Sequence, residues 1–504
     1  MRVLMLGWEF PPFITGGLGT ACFGLTKALD RRGVEVTFML PRAVDREHSS
    51  HVHLVSPSGL LPALGRVLPP TVAAAAVTLR RTGVFQGPPS GVEEKGSPKE
   101  TAGAGGAGFR RVRFIEIPAG FSSPYESAPA GSVAPPGGAA GHPGSAAAPF
   151  RGAIPGVSES VMASMSDREI AVTEAVPEAG IARASSGSSS PVGADYGGDL
   201  IAESQRYAMF CVAASAGLPF DVVHAHDWLT FPAGLAIARV TGKPLVVHVH
   251  STEFDRSGLH VNQRIYDIER RGMHGAIKVV AVSQLTKNLC VNRYAMPASR
   301  VEVVYNGVDL NPAQVGMEDI QGKDKIVLYF GRITMQKGPE YFIHAAKRVL
   351  DVYKNVKFVV AGSGDQAQRM IELAASLGIG HKVLFTGFLR GKDIQRVFAL
   401  ADLYVMPSVS EPFGIAPLEA LGHDVPVLIS KTSGVSEVLT HALKVDFWDV
   451  DDMANKIVAV LRHPPLGRTL LDHGRFELRR LTWDGAAERC VRVFQEAVAA
   501  LSKS

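Results

Sequence analysis

The sequence predicts an α/β protein built from two doubly wound, mostly parallel sheets. Short apolar runs with the spacing of buried strands alternate with amphipathic helical segments through both halves of the chain. The chain has 504 residues, which exceeds what one ordinary core supports, so two domains are expected. The turn residues Asn306 and Gly307, followed by a polar stretch to Lys325, indicate a hinge between these domains.

The first half opens with a strand, a glycine-rich loop, a helix and a second strand. The strand 3–6 precedes a loop predicted at 16–19, and the helix is predicted to begin near Cys22. Cys22 occupies the place of the last glycine in G-x-G-x-x-G, so the nicotinamide-dinucleotide motif is absent. Gly16 and Gly17 are instead predicted to approach a phosphate through their backbone N–H groups. The alternative is a glycine turn that only the course of the chain requires.

A low-complexity insert is predicted inside this half. Residues 83–108 and 119–197 are rich in Ala, Gly, Pro and Ser and contain few aromatic residues. Such segments bury too little apolar surface to offset chain entropy, so both are expected to be loop-like or disordered. The segment 111–117 between them has the β-branched alternation of a strand. No function is assigned to the insert.

Polar residues follow two apolar strands of the first half. His226 and Asp227 come after the strand 221–225, and His250 follows the strand 245–249. The carboxyl ends of the strands form the ligand crevice of an open α/β sheet. These three residues are therefore predicted to bind a ligand.

Histidines at alternate positions also raise the question of a metal. His248 and His250 share one face of their strand and could supply two ligands. No third ligand stands at a recognisable spacing, so the sequence predicts no metal site there.

Two basic residues follow the first apolar strand of the second half. Arg332 and Lys337 come after the strand 326–330, in a loop at its carboxyl end. Two cations so placed suit one diphosphate, and charge-assisted contacts of this kind contribute about 1.5–3 kcal/mol each. The alternative is a solvated pair of basic loop residues.

The stretch Glu411 to Glu419 combines two carboxylates with the start of a helix. It follows a buried strand, and the backbone N–H groups of Phe413, Gly414 and Ile415 lie at the N-terminus of a short helix. Such N–H groups favour an anion, for example a diphosphate. Glu411 in the loop and Glu419 in the helix would suit hydroxyl-bearing groups on either side of that anion. In the alternative interpretation both glutamates are solvated surface residues.

Composition narrows the range of partners and compartments. The net charge is +4, and no basic run is interleaved with aromatic residues, so nucleic acid is not an expected partner. The four cysteines are far apart and form no C-x-x-C pair, which predicts reduced thiols and a cytoplasmic location. Prolines and an arginine interrupt the apolar stretch 54–79, so no membrane-spanning segment is predicted.

Together these motifs resemble the retaining glycosyltransferases of family 4, and among them the bacterial glycogen and starch synthases. The resemblance covers nearly the whole chain outside the insert. The motifs are Glu411-Pro-Phe-Gly-Ile-Ala-Pro-Leu-Glu419, Gly331-Arg332 with Lys337-Gly338, Thr15-Gly16-Gly17-Leu18, and His226-Asp227-Trp228. One position departs from the synthases, which usually carry a lysine where this chain has Ile14. Other members of family 4 also lack that lysine.

The resemblance implies the GT-B fold, in which two Rossmann-like domains face each other across a cleft. Residues 1–312 would form the acceptor domain, and residues 313–482 would form the domain that binds the nucleotide sugar. Residues 483–504 would be a helix that crosses back to the first domain.

The resemblance also implies roles for the motif residues. Arg332 and Lys337 would hold and neutralise the diphosphate. Glu411 would bind hydroxyls of the transferred sugar, and His250 would lie beside its C6 hydroxyl. These four are the expected catalytic residues.

The remaining motif residues would bind substrate. Gly17 would donate its N–H to the phosphate, Gly414 and Ile415 would approach the donor through the backbone, and Glu419 would bind the ribose. The nucleotide base would lie against the backbone near Gly387. The expected substrate-binding residues are Gly16, Gly17, His226, Asp227, Gly387, Phe388, Phe413, Gly414, Ile415 and Glu419.

The expected reaction moves a hexosyl group, glucose from ADP- or UDP-glucose, to an α-glucan by front-face attack with retention. No cofactor and no metal are expected, because Arg332 and Lys337 would take the place of a metal at the diphosphate. One alternative is a family 4 enzyme with a small-molecule or lipid acceptor, the latter requiring contact with a membrane surface. Another is a non-catalytic sensor of nucleotide sugars. A pyridoxal-phosphate-dependent phosphorylase of the same architecture would need a lysine motif that this sequence does not display.

Overall fold

The computed structural model describes five stretches of the chain. They are residues 1–11, 17–41, 111–116, 200–309 and 324–502. Gly16, Ile14, the middle of the predicted hinge and the insert segments 83–108 and 119–197 lie outside the described residues.

The described part of the first half forms one parallel sheet with helices on both faces. Its strands are β1 (Arg2–Leu6), β2 (Glu35–Leu40), β3 (Val112–Glu116), β4 (Val222–His226), β5 (Leu245–Val249), β6 (Lys278–Ala281) and β7 (Val301–Val303). Its helices are α1 (Gly17–Arg31), α2 (Leu200–Ser215), α3 (Phe231–Thr241), α4 (Glu253–Ser257), α5 (Gln263–Gly275) and α6 (Gln284–Tyr294). The strand order is β3-β2-β1-β4-β5-β6-β7, with every paired strand parallel.

The second half repeats this plan. Its strands are β8 (Lys325–Phe330), β9 (Val356–Ala361), β10 (Val383–Gly387), β11 (Leu403–Met406), β12 (Val427–Ser430) and β13 (Leu443–Val445). Its helices are α7 (Pro339–Val352), α8 (Ala367–Ser376), α9 (Lys392–Ala399), α10 (Ala416–Gly422), α11 (Val450–Arg462), α12 (Pro464–Leu478) and α13 (Trp483–Leu501). The strand order is β10-β9-β8-β11-β12-β13, again all parallel.

The apolar strands pack on both of their faces. In β1, Leu4 and Leu6 belong to one apolar cluster, whereas Val3 and Met5 belong to another. Successive side chains of a strand point to opposite faces, so a strand covered by helices on both sides is apolar throughout. This explains why β1 appears in the sequence as an uninterrupted apolar run.

Helix α13 packs against α1 of the first half. Trp483 fills the space beside Gly24, where an added β-carbon would lie 2.1 Å from the indole ring. At the helix surface, Arg31 pairs with Asp484 at 2.9 Å. The last helix therefore belongs to the core of the first sheet, although it follows the second sheet in the chain.

The fold prediction is confirmed, with corrections at the level of single elements. The glycine-rich loop predicted at 16–19 is wrong in part, because α1 already begins at Gly17. The sequence pattern did not predict β13, α11 or α12, which follow one another between 443 and 478. Among the described helices, none has both the length and the apolar character needed to cross a membrane.

Candidate active site

The candidate site lies at the carboxyl ends of two neighbouring strands, β8 and β11. In the second sheet β8 pairs with β9 on one side and with β11 on the other. The connection after β8 runs toward β9, whereas the connection after β11 runs toward β12, on the other side of the pair. The loops that follow β8 and β11 therefore diverge and leave a crevice between them. The loop after β8 carries Arg332 and Lys337, and the loop after β11 carries Glu411.

The backbone conformation of the loop after β8 is fixed by Gly338 and by a hydrogen bond from Tyr329. The hydroxyl of Tyr329 donates to the carbonyl of Arg332 at 2.8 Å. A short 3₁₀ turn, Met335–Lys337, ends at Gly338, which has φ of +61°. A β-carbon on Gly338 would lie 2.2 Å from the carbonyl oxygen of Pro407. The two loops are therefore in direct backbone contact next to Lys337.

Lys337 and Glu411 form an ion pair between the two loops. Nζ of Lys337 lies 2.5 Å from Oε2 of Glu411, and the side chains are 18% and 10% exposed. The hydroxyl of Ser408 donates to the same carboxylate oxygen at 3.4 Å. An ammonium group has three N–H donors, so Lys337 keeps donors for a second anion beside this carboxylate.

The backbone of Glu411 is anchored to the segment after β12. Its N–H donates to the carbonyl of Thr432 at 3.1 Å, and its carbonyl accepts from the N–H of Gly434 at 2.9 Å. Gly414 has φ of +100°, and a β-carbon there would lie 3.2 Å from Cγ of Glu411. The Glu411 side chain thus contacts Lys337 on one side and lies close to the backbone of Gly414 on the other.

The side chains of Phe413 and Ile415 pack against other residues of both halves. Phe413 is 2% exposed, and its ring centroid lies 6.0 Å from that of Tyr305 in the first half. Ile415 packs against apolar clusters of both halves. It precedes α10, which has only 7 residues, so the dipole of this helix is small compared with that of a longer helix. The backbone of these residues, and not their side chains, is what a ligand could contact.

Glu419 lies one turn into α10 and is partly exposed. Its carboxylate has no hydrogen-bond partner within the described ranges of the chain, and burial raises its pKa to about 7. A carboxylate in this state gains free energy when a hydroxyl or a cation approaches it.

His250 follows β5 in the first half, and its ring is held by His226. Nδ1 of His226 lies 2.9 Å from Nε2 of His250. Burial lowers the pKa of His250 to about 3, so its ring stays neutral at physiological pH. His226 itself is fully buried. It therefore orients His250 in this structure and does not open onto the crevice.

Asp227 is likewise turned inward. It has φ of +59°, a left-handed conformation that Asp tolerates better than most residues. Its Oδ1 accepts from the backbone N–H of His250 at 2.7 Å and of Ser251 at 3.3 Å. Burial raises its pKa to about 7. Its visible role is to fix the loop after β5.

A hydrogen bond between the halves links the loop of Glu411 to the segment that follows His250. The hydroxyl of Ser410, next to Glu411, donates to Oδ1 of Asp255 at 2.6 Å. The other oxygen of Asp255 accepts from the N–H of Thr252 at 2.7 Å. Neither Asp255 nor Ser410 was found from the sequence. The spacing of Thr252 and Asp255 is that of a capping box, a readable signal for the turn but not for its partner.

The other predicted residues lie further out. Gly387 ends the edge strand β10 with φ of +71°, and its carbonyl accepts from the N–H of Gly362 at 3.0 Å. Phe388 is 48% exposed, with the guanidinium of Arg390 5.2 Å from its ring centroid. Gly17 is exposed at the start of α1. The structure thus brings Lys337, Glu411 and Gly414 together, joins them to the loop of His250, and leaves Gly387 and Phe388 two strands away.

Family models match three successive parts of the chain. The model "Starch synthase catalytic domain" matches residues 2–87, "Glycosyltransferase Family 4" matches residues 194–312, and "Glycosyl transferases group 1" matches residues 313–475. Together they cover every described strand except β3, and both loops of the candidate site.

Individual proteins show the same likeness. An uncharacterized glycosyltransferase of Methanocaldococcus jannaschii is 32% identical over 301 residues, which are 55% of this chain and 76% of the relative. A glycogen synthase of Mycobacterium tuberculosis is 25% identical over 288 residues, 55% of this chain and 69% of that protein. The solved structure of a sucrose-phosphate synthase from Thermosynechococcus elongatus superposes with a TM-score of 0.62. That match has 17% sequence identity and covers 99% of both chains, which supports a common fold.

Proposed function

The chain belongs to the family 4 glycosyltransferases with the GT-B fold, and on this premise we propose that it moves glucose from ADP- or UDP-glucose to an α-glucan with retention of configuration. The observation that carries the proposal is the Lys337–Glu411 ion pair of 2.5 Å at the crevice between β8 and β11. A cation that suits a diphosphate and a carboxylate that suits sugar hydroxyls are thus neighbours, which supports the proposal.

In this proposal the loop after β8 binds the diphosphate of the donor, and the loop after β11 binds its sugar. Lys337 and Arg332 hold the diphosphate, and their charges stabilise the departing phosphate oxygen more in the transition state than in the ground state. Glu411 accepts hydrogen bonds from the sugar, and His250 lies beside its C6 hydroxyl. Gly414 and Ile415 approach the donor through their backbone, while Glu419 accepts the ribose hydroxyls.

The reaction we propose is a front-face displacement. The C1–O bond to the diphosphate breaks, the acceptor hydroxyl bonds to C1 on the same face, and its proton passes to the leaving phosphate oxygen. No cofactor takes part in these steps, because Lys337 and Arg332 meet the developing charge. Closure of the halves about the stretch 306–325 would exclude water and limit hydrolysis of the donor.

The domains divide accordingly. We assign residues 1–312 to the acceptor, residues 313–482 to the nucleotide sugar and residues 483–504 to the helix that returns to the first sheet. All four cysteines are free and buried, which supports a reducing, cytoplasmic compartment.

The choice of an α-glucan rests on two likenesses. The model for starch synthase catalytic domains matches the start of the chain, and a glycogen synthase is among the relatives. A small-molecule acceptor is the second candidate, because Ile14 stands where the synthases usually carry lysine.

The test is a panel of donors and acceptors with the purified chain. Donor binding raises the melting temperature by mass action, so a thermal-shift series of nucleotide sugars identifies the donor first. That donor, radiolabelled in its sugar, is then offered glycogen, maltooligosaccharides and phosphorylated monosaccharides. Label in α-linked glucan supports the proposal. Label in a small acceptor alone replaces the α-glucan, and a complete absence of transfer and donor hydrolysis refutes the proposed reaction.

A further inference from the structure

Three histidines lie side by side on one face of the first sheet, beneath α13. His224 and His226 alternate along β4, and the register pairs His226 with His248 of β5. Their exposed fractions are 0%, 0% and 2%. The ring of Phe494 in α13 packs against His224, with the two ring centroids 4.9 Å apart.

These rings carry polar atoms without partners. Among the described residues, both ring nitrogens of His224, both of His248 and Nε2 of His226 have no hydrogen-bond partner. A buried polar group left in this state typically costs about 1–3 kcal/mol. Three such rings in one apolar layer are therefore expensive for folding unless another group satisfies them.

The spacing of the rings suits a shared ion. One nitrogen from each ring lies within 4.8 Å of the others, and the ring centroids are 4.3, 5.4 and 5.1 Å apart. An ion about 2.0–2.1 Å from one nitrogen of each of two rings would place their centroids roughly 5 Å apart. The ring planes of His224 and His248 are 26° apart and those of His226 and His248 are 28° apart, so the rings must turn before their three nitrogens point at one ion.

We propose that His224, His226 and His248 bind one divalent first-row metal ion of the Zn²⁺ class. Imidazole nitrogen is a favoured ligand for such ions. His226 binds through Nε2, because its Nδ1 is engaged with His250 at 2.9 Å. This pairing of the second ring nitrogen is the usual arrangement around protein-bound metals.

The site does not depend on the proposed reaction. It lies in the layer between the first sheet and α13, and its ion would not contact the diphosphate. Its role is to satisfy the buried rings and to fix the ring of His226 on which His250 rests. Alternation in the sequence indicated a shared face only for His248 and His250, whereas the pairing of β4 with β5 brings His224 and His226 to His248.

The test measures metal content and stability of the full chain. The protein is stripped with EDTA, dialysed against Zn²⁺ or Co²⁺, freed of loose metal and analysed by mass spectrometry of the elements. The wild type should retain one ion per chain more than His224→Leu or His248→Leu. His344→Leu, at an exposed position of α7, should retain as much as the wild type.

Melting temperatures separate a site from a folding defect. In EDTA the two apolar variants should be at least as stable as the wild type, because each removes an unpaired buried ring. Added Zn²⁺ should raise the melting temperature of the wild type and of His344→Leu by several degrees and leave that of His224→Leu unchanged. If the variants do not fold, the wild type alone decides, through its zinc-dependent melting and the visible absorption of its Co²⁺ form. Equal metal content in wild type and His224→Leu, or a wild type indifferent to both metals, would overturn the proposal.

Discussion

The hydroxyl of Ser410 donates a 2.6 Å hydrogen bond to the carboxylate of Asp255, and this contact joins the loop of Glu411 to the loop that follows His250. Asp255 is 3% exposed and also holds the N–H and hydroxyl of Thr252. One buried carboxylate between the halves thus connects the loop that carries Glu411 with the loop after His250.

Removing either partner of this contact should slow transfer, and removing both should cost little more than removing one. Asp255→Ala and Ser410→Ala are each expected to lower kcat about tenfold, with an interaction energy on the order of 1 kcal/mol in the double-mutant cycle. The measurement is kcat for the wild type, both single variants and the double variant. Asp255→Asn keeps an acceptor for Ser410 and should lie between wild type and Asp255→Ala. Fully additive effects would show that the contact does not couple the loops.

Gly338→Ala should damage the site more than an alanine at a comparable glycine elsewhere. Gly338 has φ of +61° and its β-carbon would meet the Pro407 carbonyl at 2.2 Å, whereas Gly378 has φ of +69° and open space around it. Left-handed backbone alone costs an L-residue about 1–2 kcal/mol, so Gly378→Ala should lose that much and no activity. Gly338→Ala should lose more and also lower kcat, because Lys337 precedes it. Urea denaturation and initial rates measure both, and equal losses in the two variants would contradict the close contact.

Stability should depend on pH through Glu419. Its pKa is about 7 in the folded chain, against about 4.3 for an unfolded glutamate. The folded state therefore binds more protons between these values, and its stability falls as pH rises through that window. Glu419→Gln removes this contribution, so its free energy of unfolding relative to wild type should be higher at pH 8 than at pH 5. Urea denaturation at both pH values tests this, and a difference that does not change with pH would contradict it.

Donor affinity should increase with pH, whereas the stability of the folded chain decreases with pH. Glu419 accepts ribose hydroxyls best when ionised, so binding of UDP-glucose or ADP-glucose to the wild type should tighten from pH 6 to pH 8. The diphosphate of these donors does not titrate in that range. Asp227, whose pKa is also about 7, is present in both proteins, so the difference between their pH profiles isolates Glu419. Glu419→Gln should bind more weakly and show a flatter profile than the wild type by calorimetry. The same slope in both proteins would separate Glu419 from the ribose.

Asp227 should act through its acceptor oxygen. One oxygen, Oδ1, accepts from both His250 and Ser251, and an asparagine side chain retains such an oxygen. Asp227→Ala leaves two backbone N–H groups without this partner and should lower the free energy of unfolding by about 2 kcal/mol or more. Asp227→Asn should lose less than about 1 kcal/mol, because Asn also tolerates positive φ. Equal loss in the two variants, measured by urea denaturation, would show that the charge is what counts.

Sequence patterns predicted individual elements better than the contacts between them. Lys337 and Glu411 could each be placed after a buried strand, because apolar runs ending in polar loops are visible locally. The order of strands in the sheet makes β8 and β11 neighbours, and local sequence patterns do not encode that order. The 2.5 Å ion pair between Lys337 and Glu411 could therefore not be predicted from the sequence.

The histidines show the same limit. Alternation predicted the shared face of His248 and His250, but the pairing of His226 with His248 depends on strand register, which local periodicity does not encode. The helix α11 was missed although Asp449 caps it through the N–H of Asp452. The N-cap residue Asp449 is visible in the sequence, but it stands among other aspartates and was taken as part of an acidic segment.

The initial rate of glucose transfer by wild type, Lys337→Ala and the control Lys347→Ala tests the proposed donor site. Lys347 lies on α7 and pairs with Asp351 at the surface, away from the crevice. With radiolabelled ADP- or UDP-glucose and glycogen, wild type and Lys347→Ala should transfer label at similar rates. Lys337→Ala should fold and lose about 100-fold or more in kcat, because a cation at the leaving group contributes about 2.7 kcal/mol or more to the transition state. Unchanged transfer by a folded Lys337→Ala would show that the Lys337–Glu411 pair does not form the donor site.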